Sequence, residues 1–131
     1  FSVIAPSKEW IIQNCTVDKK GEEWISKLPG PYTLIFKLKN KNCVAANVNF
    51  GLDTIGVRIP KHWFSESVKQ LGKPVVTTSA NRSGEDFMTS VDNLNPKLAE
   101  EIGFIIYEEE KHGRPSMIVD LTQQETLVKN R

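Results

Sequence analysis

Residues 54–81, TIGVRIPKHWFSESVKQLGKPVVTTSAN, change their spacing twice within one short span. At the start Ile55, Val57 and Ile59 alternate with Thr54, Gly56 and Arg58, the period of a β-strand with one apolar face. From His62 the spacing lengthens. Trp63, Phe64, Val68 and Leu71 gather on one side of a helix, the side expected to face the core, and Gly72 supplies the stop. "PVVTT", from Pro74, then reads as a buried strand. Strand, helix, strand is the grammar of an α/β domain.

The same alternation continues on both sides. Upstream, "FSVIA" is a short strand, and "PSKEWIIQNC" a helix capped by Ser7 with Trp10 and Ile11 inward. "VDKKGEEWISKL" places Val17, Trp24, Ile25 and Leu28 at helical spacing, and Pro29 ends it. The rigid turn Pro29-Gly30-Pro31 leads into "YTLIFKLK", a strand with Leu34, Phe36 and Leu38 alternating, then a turn, a weak strand and a loop over 40–53. Downstream, "SVDNLNPKLAEEIG" is a helix with Asn95 as cap and Pro96 in its first turn. "FIIY" reads as a strand, "EEEKHGRP" as a charged loop, and "SMIVDL" and "TLVK" as two further strands. The class implied is α/β: a twisted, mixed sheet flanked by helices, in one domain over residues 1–131.

Composition narrows the function classes. A chain of 131 residues with 39% hydrophobic and 25% charged residues can bury a core without staples. Its 17 basic and 16 acidic residues leave a net +1, too even for a general polyanion binder. Cys15 and Cys43 are too few for a zinc site and suit two reduced thiols of a cytoplasmic protein, or one disulfide. His62 and His112 stand apart from them, so no metal ligand set is assigned. No apolar run approaches the ~20 residues of a membrane span. The opening "FSVIAPSKEW" has no signal-peptide pattern and no initial Met, which suggests a chain processed or cut from something longer. No phosphate-binding glycine loop, no nucleophile elbow and no Ser–His–Asp set is present, so no catalytic side chain is assigned. An enzyme of this composition would work by holding reactants together.

Two places have the chemistry for that. Thr77-Thr78-Ser79-Ala80-Asn81 sits at a strand end, where ligands of open α/β sheets bind, and Gly84 permits a tight turn beyond it. Small hydroxyl and amide side chains and converging backbone N–H groups suit an anion, and equally suit an ordinary turn. Arg58 lies in a strand among apolar neighbours, where a guanidinium needs a partner. Phosphate matches its fork, and an acidic side chain on a solvated face would serve as well. Ser116 and Arg114 mark another element boundary.

Taken in order, "PGPYTL", "TIGVRIP", "PVVTTSANRSGE" and "GRPSMIVDL" resemble the YrdC family of threonylcarbamoyl-AMP synthases, with Ser79–Gly84 the most specific piece. The resemblance runs over essentially the whole chain. It implies a YrdC-like sheet with a concave ligand-binding face, and a domain lacking its N-terminal portion, where the family carries a Lys-x-Arg motif. It also implies a reaction in which L-threonine, bicarbonate or CO2, and ATP give threonylcarbamoyl-AMP and pyrophosphate, for threonylcarbamoyladenosine in tRNA. By the same resemblance Thr54, Arg58, Ser79, Asn81 and Arg131 contact ATP, Ser116 and Thr77 the threonine, and Mg2+ the phosphates. Implied partners are tRNA or double-stranded RNA and a downstream tRNA-modifying complex. Met117 and Tyr32 replace the family's usual Thr and Leu. The competing readings are an RNA-binding module, a fragment without activity, and the YrdC-like part of a hydrogenase-maturation carbamoyltransferase.

Overall fold

The computed structural model describes residues 1–110, 113 and 115–130. Contacts divide the chain into two compact units, Phe1–Thr77 with Ser116–Arg131, and Thr78–Pro115. The first holds a six-stranded mixed sheet with strands β1 (Ser2–Ile4), β2 (Tyr32–Lys37), β3 (Thr54–Arg58), β4 (Val75–Thr77), β5 (Met117–Asp120) and β6 (Leu127–Lys129). Their order across the sheet is β4-β1-β3-β2-β5-β6. β1 runs parallel to β3 and β2 parallel to β5, and the other pairings are antiparallel. Helices α1 (Lys8–Asn14), α2 (Lys19–Ser26) and α3 (Trp63–Leu71) belong to the same unit. The α/β class read from the alternation is the class observed.

Each helix starts where a side chain accepts an orphan backbone N–H. Ser7 Oγ accepts from Trp10 at 3.0 Å, Asp18 Oδ1 from Gly21 at 2.8 Å, and His62 Nδ1 from Phe64 at 3.1 Å. Gly72 ends α3 in the left-handed region, φ 71°, which a side chain would resist. Gly21 has a packing reason. A Cβ there would lie 2.9 Å from the Phe36 ring, so its absence lets α2 approach β2.

The core lies on one face of the sheet. Val3, Leu34, Phe36, Ile55, Val57 and Val119 point from the strands toward Ile11, Cys15, Ile25 and Leu28. All are buried, and Phe36 is the largest of the fully buried side chains. Trp10, Val17, Trp24 and Tyr32 pack around that cluster, Trp24 and Tyr32 edge to face at 5.4 Å.

The second unit contains a 3-10 turn at Val91–Asn93 and α4 (Pro96–Glu101). Asn95 Oδ1 accepts from Lys97 N–H at 3.0 Å, with Pro96 in the first turn, as its sequence suggests. No side chain among its described residues is fully buried.

Four local expectations need correction. Residues 104–107, "FIIY", are not among the six strands and are exposed, Phe104 at 80% and Tyr107 at 70%. Four apolar residues make a strand only where another strand accepts their ladder, and none does so here among the described residues. Over 40–53 there is no strand. Lys41–Cys43 forms a 3-10 turn and further turns follow. On α3, Val68 is buried and Phe64 half-buried, but Trp63 and Leu71 are exposed, because the apolar stripe is wider than the surface it meets. "PVVTT" is an edge strand rather than a buried one. Among the described residues it pairs only with β1, and Val76 is left at 48% exposure.

Candidate functional site

The face of the sheet opposite the core carries the polar residues. In β3, Ile55 and Val57 are buried on the core side, and Thr54, Gly56 and Arg58 are half-exposed on the other. Alternation along the neighbouring strands adds Ser2, Thr33 and Thr77 to that second face, since Ser2 pairs with both Gly56 and Thr77, and Ile35 pairs with Gly56.

Two hydroxyl pairs flank Gly56. Toward β4, the Ser2 and Thr77 hydroxyls lie 3.1 Å apart. Toward β5, the Thr33 and Ser116 hydroxyls lie 2.6 Å apart, with Thr33 3% and Ser116 9% exposed. Gly56 sits between them. A Cβ there would stand 3.2 Å from Thr33 Cγ2 and 3.4 Å from Ser2 Cβ. The missing side chain leaves a shallow floor between the pairs. Two residues further along β3, Arg58 adds a guanidinium to the same face.

Thr54 opens β3 at the far end. Its carbonyl accepts from Asn49 Nδ2 at 3.0 Å, and the same amide nitrogen donates to Leu52 O at 2.9 Å. Asn49 is buried, so one amide ties the preceding loop to the strand that carries Thr54 and Arg58. At the other side of the sheet the Asp120 carboxylate accepts from both N–H and hydroxyl of Thr122, which turns the chain after β5.

The Ser79–Gly84 loop opens the second unit. Ser79 is exposed and Asn81 half-buried. Asn81 N–H donates to Ser79 O at 3.0 Å, its side-chain amide donates to Arg82 O at 2.8 Å, and Met88 N–H donates to Ala80 O at 3.2 Å. Gly84 takes φ 84°, the conformation for which a glycine was expected. This is a built turn, and it leaves the Ser79 hydroxyl in solvent.

A cavity of about 470 Å³ lies elsewhere in the first unit, at the carboxyl ends of β1 and β3. Lys8, Lys61, Lys69, Glu9 and Glu66 line it with Pro29. Among the described residues no three His, Cys, Asp or Glu side chains converge as a metal site, and no helix is long and apolar enough to cross a membrane. Both cysteines are free thiols. Burial above all, then neighbouring Cys43, pushes the Cys15 thiol up to about 12, while Lys39 pulls the other way. Burial also raises Cys43.

Of the residues singled out in sequence, Thr54, Arg58, Thr77 and Ser116 therefore share one sheet face, while Ser79 and Asn81 stand in the other unit. Arg131 and Arg114, as well as His112, lie outside the described residues. Ser2 and Thr33 went unmarked, although the parity that exposes Arg58 also separates Thr33 from Leu34 and Phe36.

The threonylcarbamoyl-AMP synthase of Vibrio vulnificus is 32% identical over 102 residues, 76% of this chain and 53% of the relative. The chain thus spans about half the length of that relative. The structure of Pyrococcus abyssi Sua5 complexed with L-threonine superposes with a TM-score of 0.79 at 28% identity, over 97% of this chain and 38% of that one. Escherichia coli YciO, at 21% identity, shares the fold with a TM-score of 0.83, over 100% of this chain and 65% of its own. The Sua5, YciO and YrdC family, described under telomere recombination, matches residues 1–130, so the chain belongs to that family.

Proposed function

We propose that this chain is the part of a threonylcarbamoyl-AMP synthase that joins L-threonine, bicarbonate or CO2, and ATP, releasing pyrophosphate. The observation that carries the proposal is the sheet face on which Thr77, Arg58 and Ser116, remote in sequence, stand together around Gly56. A carbamate-adenylate needs an amine, a one-carbon acid and an α-phosphate brought together while negative charge is neutralised. Hydroxyls and one guanidinium on a rigid sheet do this by orientation and electrostatics, without a protein nucleophile.

In this scheme Ser116 and Thr77 take the threonine, and Arg58 and Thr54 take ATP. Ser79 and Asn81 hold phosphate oxygens, and Arg131 contacts nucleotide. With no protein cluster to hold a metal among the described residues, Mg2+ would arrive on the phosphates, whose charge it offsets. The relative from Vibrio vulnificus carries the synthase name, and the Pyrococcus abyssi structure holds L-threonine. The product would serve tRNA modification in the cytoplasm, passed to a separate transferase complex.

Arg58→Ala tests the charge role. A hydrogen bond to a charged group is worth about 1.5–3 kcal/mol, so ATP affinity is expected to fall by about 10- to 100-fold. Arg58→Lys should recover only part of it, since the ammonium lacks the fork. Unchanged ATP affinity in Arg58→Ala by calorimetry would remove Arg58 from the nucleotide site.

A further inference from the structure

We infer that Thr33 is a positioning residue for Ser116, and through it sets selectivity for an amino acid with a β-hydroxyl; this rests on the synthase reading above. The two hydroxyls are 2.6 Å apart and nearly sealed from water. A hydroxyl has one proton and two lone pairs. Whichever hydroxyl donates, the bond holds the Ser116 rotor. The hydrogen-bonding capacity that Ser116 has left is then available to a ligand in a fixed orientation.

The backbone around the pair is equally fixed. Thr33 lies opposite Ile118 in the β2–β5 ladder, and Met117 N–H donates to Pro31 O at 2.9 Å. Thr33 therefore stands in β2 and Ser116 immediately before β5, where the β2–β5 pairing anchors it, which is how a site holds close tolerances. Gly56 leaves the Thr33 methyl room on its other side, 3.2 Å from where a Cβ would stand. A substrate hydroxyl meeting Ser116 completes the chain of hydrogen bonds. Valine has nearly the shape of threonine but no hydroxyl, and would leave the buried pair one bond short. Sites of this kind reject the analogue lacking the group far more strongly than apolar pockets do.

The test is calorimetry on the full chain with L-threonine, L-valine and ATP separately, for wild type, Thr33→Val and Thr33→Ser. Thr33→Val keeps the shape and removes the hydroxyl. It is expected to weaken L-threonine by about tenfold and reduce the threonine-to-valine ratio, with ATP affinity within about twofold of wild type. Thr33→Ser should restore the ratio. Wild-type threonine affinity and selectivity in Thr33→Val would overturn the inference. So would an equal loss of every ligand accompanied by lower thermal stability, the mark of a merely structural role. Should Thr33→Val not fold, Thr33→Ser against Thr33→Ala isolates the hydroxyl by the same criteria. If wild type itself binds no L-threonine, the synthase reading falls, and this inference with it.

Discussion

Gly56 faces Thr33 Cγ2 and Ser2 Cβ at once, and a methyl group there would stand 3.2 Å and 3.4 Å from them. Both neighbours sit on paired strands and yield only by moving the ladder. Gly56→Ala should therefore cost about 1–3 kcal/mol by overpacking, read as a lower urea midpoint, and should weaken L-threonine as well. An unchanged midpoint would mean the face has slack. Cys15 gives a second test at this scale. Its thiol is held near 12 in the fold, against an ordinary 9.0 when unfolded. The stability from keeping it protonated is whole below pH 9 and drains as pH rises from 9 toward 12. Urea midpoints measured between about pH 8.5 and 10.5 should fall more steeply for wild type than for Cys15→Ala. Parallel lines would contradict the burial argument.

Among the elements, the caps act locally and independently. Removing the Asp18 carboxylate that receives Gly21 N–H leaves a helix start unsatisfied, so Asp18→Ala should cost about 1 kcal/mol in thermal or urea unfolding. Asp18→Asn should recover most of it. Elements with a local cause were the ones legible in sequence. β3 announces itself because its two faces meet different surroundings, and α1 and α3 because Ser7, Gly72 and a helical stripe bound them. "FIIY" looks the same as a strand over four residues, yet a strand exists only through its partner, and the sequence does not name one. Trp63 and Leu71 mislead for a related reason. An apolar stripe states what a helix can bury, while the extent of the opposing surface decides what it does bury.

For the molecule as a whole, burial is uneven between the two units. Residues 78–110 have no fully buried side chain among them, whereas β2 and β3 lie at the centre of the sheet. Amides of the first span should exchange with solvent well before those of Leu34, Phe36, Ile55 and Val57. Equal protection would show that the second unit has stability of its own. The candidate site was half legible at this scale. Arg58, Thr77 and Ser116 stand out from their own neighbours, but that they share one face follows from strand order, which only the fold supplies. Ser2 and Thr33 stay unmarked for the same reason, since a strand hydroxyl gains meaning from the hydroxyl across the ladder. The most direct measurement is amide chemical-shift mapping of the chain on addition of L-threonine. The expected shifts cluster at Gly56, Arg58, Thr77 and Met117, on the polar face and beside Ser116. No shifts at those amides, or shifts confined to the cavity by Lys8 and Lys61, would contradict the assignment of that face as the substrate site.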